Sequence, residues 1–582
     1  MVLVGTSNVC PEQLRICALS MDKKREITAP PKRDSEGMGT QFASGREPVV
    51  VIDLVSLGNL VLSSTVVNAS KTYTMLVRPS AGAVLGSDKF SLLFSAAWLS
   101  RPSGFATGIY NSPAHYHFET NTQRYGKLQK PKKNMASTQP ALFASIPTAS
   151  QWDLARATIH DRICGTLVGS ALGDAIGLYT EFLSKKASEA GYPTRKFTLW
   201  PSAEATAFVR DFHRSPHETG DWTDDTDHAL LILLSYLHAD GQELDPLDFA
   251  RRLRTWVDMG LRALDTVPLG LGRTVGTIVR KAVYLDGPEA VARDVWVRNR
   301  RDLAPNGSLM RTHPLGLMCL AKSLEETFEV AASYSVVTHV DPRCVVACAV
   351  GTALVRGLVR GEVSEEKHID GMVDDGFQWY QKWRSVKEEG DESWKEDPAL
   401  DRAELDRHAQ AECLADLQLD EAAKIGYVYK TFGSGTLLLR LAMREMARDG
   451  ADVGTPLEIF ERLITDLIME GGDADTNACF AGALLGAFLG YKALPPHWRD
   501  GLRHGKWLIG KAEALSKVLR VKEGAYSGAE DRDTHPDGGR GFLTKDQMDG
   551  QFMRLQARMV EKDKEYQRQQ GAKSKKKILG LF

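Results

Sequence analysis

Apolar residues recur with a helical period from Trp152 to about Arg520. Strand-like alternation is rare in this region, whereas apolar runs of helix length are frequent. A chain that buries helix faces against one another and offers few strands forms an all-α domain. We therefore predict a compact multi-helix core in residues 151–520, built around the apolar runs 229–237, 344–358, 436–446, 457–468 and 478–489.

Three other parts of the chain have a different pattern. Residues 1–150 lack a sustained period and hold 16 basic against 9 acidic residues, which predicts an extension that is poorly ordered or peripheral to the fold. Their β-branched run, 49–67, predicts a strand or two. Residues 362–418 are highly charged and predict a solvated insertion within the core. Residues 521–582 predict a linker, a polar helix over about 545–570 and a lysine-rich tail.

Composition narrows the class of protein. The 582 residues are 43% hydrophobic and 25% charged, and the formal net charge is −2. These values exclude a wholly disordered chain, a collagen-like repeat and a polycationic nucleic-acid binder. We therefore expect no nucleic-acid partner for the core, and we expect the C-terminal lysine run to be a solvated tail.

Cysteine usage and the apolar segments indicate the compartment. The eight cysteines form no CxxC pair, which predicts a reducing, intracellular location, either cytoplasmic or nuclear. Cys344 and Cys348 stand one helical turn apart and indicate a packed helix face rather than a zinc site. The N-terminus lacks the pattern of a signal peptide, and polar residues interrupt the apolar stretch 49–67, so we expect no membrane span.

Two segments carry small residues at intervals of four. Glycine costs about 1 kcal/mol relative to alanine at an interior helix position, so such stripes need a compensating gain. Close approach of two helix backbones supplies that gain. We infer that the two striped helices are buried and lie near each other; the stripes are Gly165, Gly169, Gly173 and Gly177 in the first segment and Ala478, Gly482, Gly486 and Gly490 in the second.

Acidic residues cluster where two buried helices are predicted to begin. One interpretation is helix capping, in which Asp and Thr satisfy free amides at the helix N-terminus. One carboxylate per helix would serve that purpose, whereas each start has at least two. Four carboxylates brought together repel one another unless cations balance them, and oxygen ligands suit Mg²⁺ or Mn²⁺ rather than zinc. The residues favour a metal site over capping: Thr223, Asp224 and Asp225 at one start, and Asp473, Asp475 and Thr476 at the other.

Further polar residues interrupt the apolar pattern. The turn at Asn306, Gly307 and Ser308 is followed by an apolar segment, so it either offers backbone amides to an anion or is a plain turn. His339 precedes a proline-initiated helix and is either part of a cap or part of a site. Glu181 lies four residues beyond Gly177 and is either a general base or a surface glutamate.

Six motifs in order resemble the signature of the ADP-ribosylglycohydrolase family. They are GTLVGSALGDAIGLYTEF, GDWTDDTDHAL, APNGSLMRTHPLG, THVDPRC, IGYVYKTFGSG and EGGDADTNACFAGALLGA, and they span about residues 159–495. The resemblance is specific because the two acidic motifs occur in the right order and about 250 residues apart. No Walker loop, GxSxG elbow, dinucleotide fingerprint or HExxH motif competes with it.

The resemblance implies a compact all-α fold with two Mg²⁺ or Mn²⁺ ions. It implies that the six residues of the two acidic helix starts are metal ligands and that Glu181 lies beside the metals and the ribose. It also implies that Gly307, Ser308 and Met310 hold the diphosphate, that His339 lines the same cleft, and that Tyr427 forms the adenosine side. The segment PLGLGRTVG, residues 268–276, lacks an acidic residue that many relatives have, which leaves the linkage preference open.

The function that follows from the resemblance is hydrolysis of the glycosidic bond between ADP-ribose and a protein side chain or small acceptor. Glu181, Asp224 and Asp475 are the expected catalytic residues, and the protein is expected to be a monomer. Two alternatives stay open: a catalytically silent, crystallin-like member of the family, and a two-metal phosphoesterase. The sequence does not choose between an arginine, a serine or another linkage, nor between Mg²⁺ and Mn²⁺.

Overall fold

The computed structural model describes residues 50–54, 75–79, 149–448 and 455–578. The chain divides into two compact units, residues 1–135 and 136–582. In the first unit, strands β1 (Val50–Leu54) and β2 (Met75–Pro79) pair in parallel, with Val50 opposite Met75. A strand within the β-branched run 49–67 was predicted, and β1 confirms it. The expected poor order of residues 1–150 falls almost wholly outside the described residues and stays a prediction.

The second unit confirms the all-α prediction. Its described residues contain no strand, only two isolated bridges. The helices are α1 Ala149–Gly177, α2 Lys185–Gly191, α3 Asp224–His238, α4 Pro246–Met259, α5 Arg273–Val279, α6 Pro288–Arg298, α7 His313–Met318, α8 Leu324–Ser335, α9 Pro342–Arg360, α10 Glu366–Gly390, α11 Arg402–Ala409, α12 Val428–Met446, α13 Pro456–Ile468, α14 Ala474–Leu489, α15 Pro496–Arg499, α16 Gly505–Val518 and α17 Lys545–Ile578.

The two glycine-striped helices, α1 and α14, pack directly against each other. A methyl group at Gly169 would overlap the carbonyl oxygen of Gly482, and one at Gly173 would overlap that of Ala478. The same relation joins Gly165 to Gly486. Contacts therefore move toward the start of α14 as they move toward the end of α1, so the pair is antiparallel. The inference of two buried, adjacent helices is confirmed, and at the glycines of the contact the backbones are too close for a side chain.

The antiparallel pairing fixes where the polar ends of the two helices lie. Gly177, the last residue of α1, abuts the backbone of Asp475 in the first turn of α14. The chain leaving α1 then pairs with the chain entering α14: Phe182 N donates to Gly472 O at 2.6 Å, and Gly472 N donates to Leu183 O at 2.9 Å. The acidic residues near the end of α1 are thus placed beside those that open α14.

Helix α9 is a central core helix. Pro342 stands at its first turn, and Asp341 caps it by accepting from Arg343 N at 3.1 Å. Cys344 and Cys348 are fully buried, which confirms that they form a packed helix face. Within the described part of the chain, α9 alone has the length and apolar composition of a membrane span, and it is buried inside the protein.

The charged segment 362–418 is folded rather than wholly solvated. It forms α10 and α11, whose charged residues face outward while Ile369, Trp379 and Leu405 are buried. The amphipathic face explains the difference from the expected solvated insertion, because apolar residues at helical spacing were hidden among many charges. Helix α17 begins at Lys545, where the polar helix was predicted, and continues to Ile578.

Substituting Gly173→Ala should destabilise the protein by at least about 2 kcal/mol, because the methyl group must push two helix backbones apart. Gly371→Ala is the matched control, since Gly371 is exposed within α10 and nothing lies near its missing side chain. The control should stabilise α10 by up to about 1 kcal/mol. Urea unfolding measures both effects, and equal midpoints for the two variants would contradict the close packing of α1 on α14.

Candidate active site

The first turn of α3 is capped by residues other than its own acidic pair. Asp174 of α1 accepts from Thr223 N at 2.9 Å, from Thr226 N at 3.0 Å and from Thr226 Oγ1 at 2.6 Å. Thr223 itself caps the helix by accepting from Asp225 N at 3.5 Å. Three free amides of this turn, those of Thr223, Asp225 and Thr226, are therefore already satisfied. The carboxylates of Asp224 and Asp225 are not needed for capping.

At the start of α14, the carboxylate of Asp473 likewise has no capping role. Asp473 occupies the N-cap position but its side chain makes no capping hydrogen bond; it accepts instead from Asn306 Nδ2 at 3.0 Å. Gly471 and Gly472 precede it with φ of 72° and 73°, a left-handed conformation that glycine adopts without strain. These two glycines turn the chain so that Asp473 enters the site. The capping interpretation therefore fails for Asp473.

Five carboxylates meet in two overlapping groups. One group consists of Asp174, Asp225 and Asp475, and the other consists of Glu181, Asp473 and Asp475. In each group the nearest oxygens lie within 4.8 Å of one another, and Asp475 belongs to both. The two predicted acidic helix starts are thus brought together, and the end of α1 adds two further carboxylates.

The two threonines of the acidic motifs lie within this acidic cluster, which comprises Asp174, Glu181, Asp225, Asp473 and Asp475. Thr223 Oγ1 is 3.0 Å from Asp225 Oδ2 and 3.3 Å from Asp475 Oδ2. Thr476 N donates to Asp475 Oδ1 at 2.8 Å. Burial raises the pKa of Asp225 and of Asp473, and side-chain hydrogen bonds with Thr476 offset part of that rise.

Asp224 was expected in the metal ligand set but lies at the edge of the acidic cluster. Its carboxylate packs against Gly270, where an added methyl group would overlap Oδ1. Burial, together with the charges of Asp225 and Glu181, raises the pKa of Asp224 well above the ordinary value, so Asp224 is electrostatically part of the same site. Asp227, in the same turn, is held by the indole nitrogens of Trp222 and Trp256, each at 2.8 Å.

Burial and mutual repulsion raise the pKa of the acidic cluster. Burial raises the pKa of Asp174 to about 7 and, with the charge of Glu181, the pKa of Asp473 to about 6. Burial and neighbouring carboxylates raise the pKa of Asp225 and of Asp475 well above the ordinary value. In the described residues no Lys or Arg pairs with these carboxylates, and Asp225 Oδ1 is buried without a hydrogen-bond partner. An oxygen-lined, cation-deficient site of this kind fits a hard divalent cation.

Glu181 has a partner that the sequence did not reveal. Its Oε2 lies 2.5 Å from His213 Nε2, and Phe182 packs on the histidine ring at 4.9 Å between ring centroids. The segment that carries His213 is tied down by Arg214, which donates to the carbonyl oxygens of Tyr179 and Glu181. Glu181 is therefore buried and oriented, not a surface glutamate.

The predicted anion-binding turn borders the Asp473 end of the acidic cluster. Asn306–Ser308 forms a 3₁₀ turn, and Asn306 Nδ2 also donates to Thr431 Oγ1 at 2.9 Å. Gly307 is half-buried beside the ring of His339. The Ser308 hydroxyl is buried and accepts from Ser335 and Cys348 inside the core.

The remaining predicted substrate residues flank this turn. Met310 is buried, and its carbonyl oxygen accepts from Cys479 at 3.7 Å. His339 is buried, and its Nδ1 is 2.7 Å from Thr338 Oγ1. Tyr427 pairs with Pro305 in an isolated bridge and donates through Oη to Glu404 at 2.9 Å. Gly307, His339 and Tyr427 therefore lie along one border of the acidic cluster.

The helical core of the chain is similar to known proteins. A family model described as ADP-ribosylglycohydrolase matches residues 155–525. The chain is 28% identical over 229 residues to ADP-ribosylarginine hydrolase Tri1 of Serratia proteamaculans, which is 39% of this chain and 52% of that protein. It is 26% identical over 366 residues to an uncharacterized protein of Archaeoglobus fulgidus, which is 62% of this chain and 97% of that protein.

A solved chain described as an ADP-ribosylglycohydrolase-related protein complex is 23% identical, with a TM-score of 0.40; the similarity covers 62% of this chain and 99% of that one. The match to Tri1 spans about half of that relative's length.

In the metal-free protein, Asp475→Asn should stabilise the fold at pH 7.5 by roughly 2 kcal/mol and have little effect at pH 4.5. A raised pKa means that the folded state binds the proton more tightly than the unfolded chain does. The stability that this provides is present at low pH and is lost as the carboxyl groups of the acidic cluster ionise, which for Asp473 and Asp174 occurs at pKa values of about 6 and about 7. Urea unfolding in chelator at several pH values measures the difference. A variant that is less stable than the wild type at pH 7.5 would contradict the described repulsion.

Proposed function

The chain belongs to the ADP-ribosylglycohydrolase family, and on that premise we propose that it is a metal-dependent hydrolase of ADP-ribose conjugates. The bond cleaved is the glycosidic bond between the anomeric carbon of ADP-ribose and a protein side chain or small acceptor. The observation that carries the proposal is the buried acidic cluster, in which five carboxylates share a site without any basic side chain except His213 among the described residues.

The residues divide into two cation-binding groups around Asp475. Thr223 and Asp225, with Asp174 behind them, would hold one Mg²⁺ or Mn²⁺ ion. Asp473 and Thr476, with Glu181 beside them, would hold the other. Two divalent cations would offset most of the cluster's negative charge, and the orphaned Asp225 Oδ1 would gain a partner. Asp224 would support the first group from its edge.

The chain's own groups account for binding and proton transfer. When bound, the cations supply Lewis acidity at the ribose and lower the pKa of water. Glu181, held by His213, is placed to accept a proton from an attacking water and return one to the leaving group. The remaining charge on the carboxylates of Asp224 and Asp475 favours the positive charge that develops at the anomeric carbon.

The border formed by Gly307, His339 and Tyr427 would receive ADP-ribose. The turn at Asn306 offers free amide groups of a 3₁₀ start to the diphosphate, and the ring of Tyr427 offers an aromatic face to the adenosine. The substrate would be an ADP-ribosylated protein or an ADP-ribose conjugate. Tri1 is named as an ADP-ribosylarginine hydrolase, which makes the arginine linkage the first to test.

A panel of arginine-, serine- and O-acetyl-linked ADP-ribose substrates tests the activity. We expect release of free ADP-ribose with Mg²⁺ or Mn²⁺ and none in chelator. Glu181→Gln should lower kcat by at least about 100-fold, because it removes the proton-transfer group but keeps its size. Full turnover in chelator would refute the metal-dependent mechanism. Binding without release would support the silent, crystallin-like alternative, and release of phosphate would support the phosphoesterase.

Asp475→Asn should abolish binding of divalent cations, because Asp475 is the carboxylate common to both groups. Calorimetric titration of the chelator-treated protein with Mn²⁺ measures it. Asp227→Asn is the matched control, since Asp227 is also acidic and buried in the first turn of a helix, here α3, but bonds only the two indoles. The control should keep wild-type cation binding; a control that loses it, or an Asp475→Asn variant that keeps it, would overturn the assignment.

A further inference from the structure

A cavity of about 500 Å³ lies beside the Thr223 end of the acidic cluster. Its floor is formed by Trp222, Thr223 and Asp227, at the start of α3, and by the loop that follows Asp265. Its outer wall is one face of α17, which contributes Gln551, Arg554, Leu555 and Arg558. Helix α17 lies beyond residue 525, where the family match ends, so this wall is an addition to the family core.

Specific contacts hold α17 over this cavity. Leu555 is buried, and Gln551 Nε2 donates to Asp265 Oδ1 at 3.0 Å. Farther along the helix, Lys562 Nζ donates to His217 O at 2.8 Å and pairs with Glu218 at 2.8 Å. The guanidinium of Arg210 stacks on the ring of Tyr566, 3.8 Å from its centroid. The wall is therefore anchored on both sides of the cavity.

The charges that line the cavity are paired, with two exceptions. Asp221 pairs with Arg503 at 2.8 Å, Asp265 pairs with Arg262, and Asp227 is held by two indoles. Within residues 152–448 and 455–568, Arg554 and Arg558 form neither an ion pair nor a side-chain hydrogen bond. They stand four residues apart on one helix face, where like charges repel. Both are exposed and line the cavity, so an anionic ligand there would meet two guanidinium groups that have no ion pair within the described residues.

The cavity and the Asn306 turn lie at opposite ends of the acidic cluster. Asn306 contacts Asp473, whereas Thr223, which lines the cavity, contacts Asp225 and Asp475. The proposed function places ADP-ribose along the Asn306 border. The group on the far side of the scissile bond, the acceptor, then lies toward the cavity.

We propose that Arg554 and Arg558 bind an anionic group, carboxylate or phosphate, of the acceptor beside the ADP-ribosylated side chain. The orientation of the substrate, with its acceptor toward the cavity, rests on the proposed function. The cavity and the unpaired arginines are independent of it. Helix α17 would thereby give the enzyme a preference for modified sites with acidic neighbours, which the family core does not itself provide. The diphosphate of ADP-ribose is the other source of such an anion, and the test separates the two.

The test uses fluorescent ADP-ribosylated peptides in matched pairs, one with Asp and Glu next to the modified residue and one with Asn and Gln. Fluorescence anisotropy with the full-length Glu181→Gln protein and Mg²⁺ measures binding without turnover. We expect the acidic peptide to bind about tenfold more tightly than the neutral one, and the difference to shrink at high salt. The double variant Arg554→Glu/Arg558→Glu should abolish the difference.

Two variants serve as controls. Lys545→Glu/Arg568→Glu makes the same charge change on exposed positions of α17 that do not line the cavity, and it should keep the difference. Arg554→Gln/Arg558→Gln removes the two charges without adding new ones and should also reduce the difference in affinity. This result would show that the loss does not come from a helix disturbed by the introduced glutamates. Circular dichroism of each variant checks that α17 stays helical.

Three results would overturn the inference: equal binding of the two peptides by the parent protein, a preference that survives Arg554→Glu/Arg558→Glu, or an equal loss of affinity for free ADP-ribose. The last result would assign the arginines to the diphosphate. Release of ADP-ribose from a small neutral conjugate by the wild-type protein tests the proposed function separately. Its failure would leave the anisotropy comparison to decide the role of the arginines.

Discussion

The site depends on one packing relation, the antiparallel contact of two helices whose touching faces carry only glycine and alanine. The stripe through Gly165, Gly169 and Gly173 meets the stripe through Ala478, Gly482 and Gly486 backbone to backbone. Such contact leaves no freedom in the register of one helix against the other. The end of α1 is therefore fixed beside the start of α14, and every carboxylate of the acidic cluster is positioned by that relation.

The acidic cluster is costly for the fold and useful for chemistry. Asp174 is consumed in capping α3, and this leaves Asp225 and Asp475 with unbalanced charge in a buried place. Burial raises the pKa of these carboxylates, because the charged form loses its hydration. A bound cation would relieve the repulsion among these carboxylates. The free energy of that repulsion would therefore add to the affinity for the cation. Functional sites commonly combine perturbed acidic groups with a scaffold that holds them in place.

Much of this arrangement follows from local sequence patterns, and the rest does not. The glycine stripes were predictable because small residues recur every four positions on one helix. The acidic starts at Thr223 and Asp473 were predictable because their carboxylates stand close together in the sequence, just before an apolar helix. Asp174 was missed as a member of the acidic cluster because it lies inside an apolar, glycine-rich helix. His213 was missed because only long-range bonds from Arg214 to the backbone of Tyr179 and Glu181 place it.

Other differences also have a physical origin. Asp224 belongs to the expected motif and packs against Gly270, a contact between distant parts of the chain that its spacing does not reveal. The Ser308 hydroxyl accepts hydrogen bonds from Ser335 and Cys348 inside the core, which no sequence spacing reveals.

We propose that α1 and α14 together hold divalent cations at Asp475. Anomalous diffraction from a Mn²⁺-soaked crystal tests it most directly: two manganese peaks, one on each side of the Asp475 carboxylate, are predicted, and a site without manganese would contradict the account.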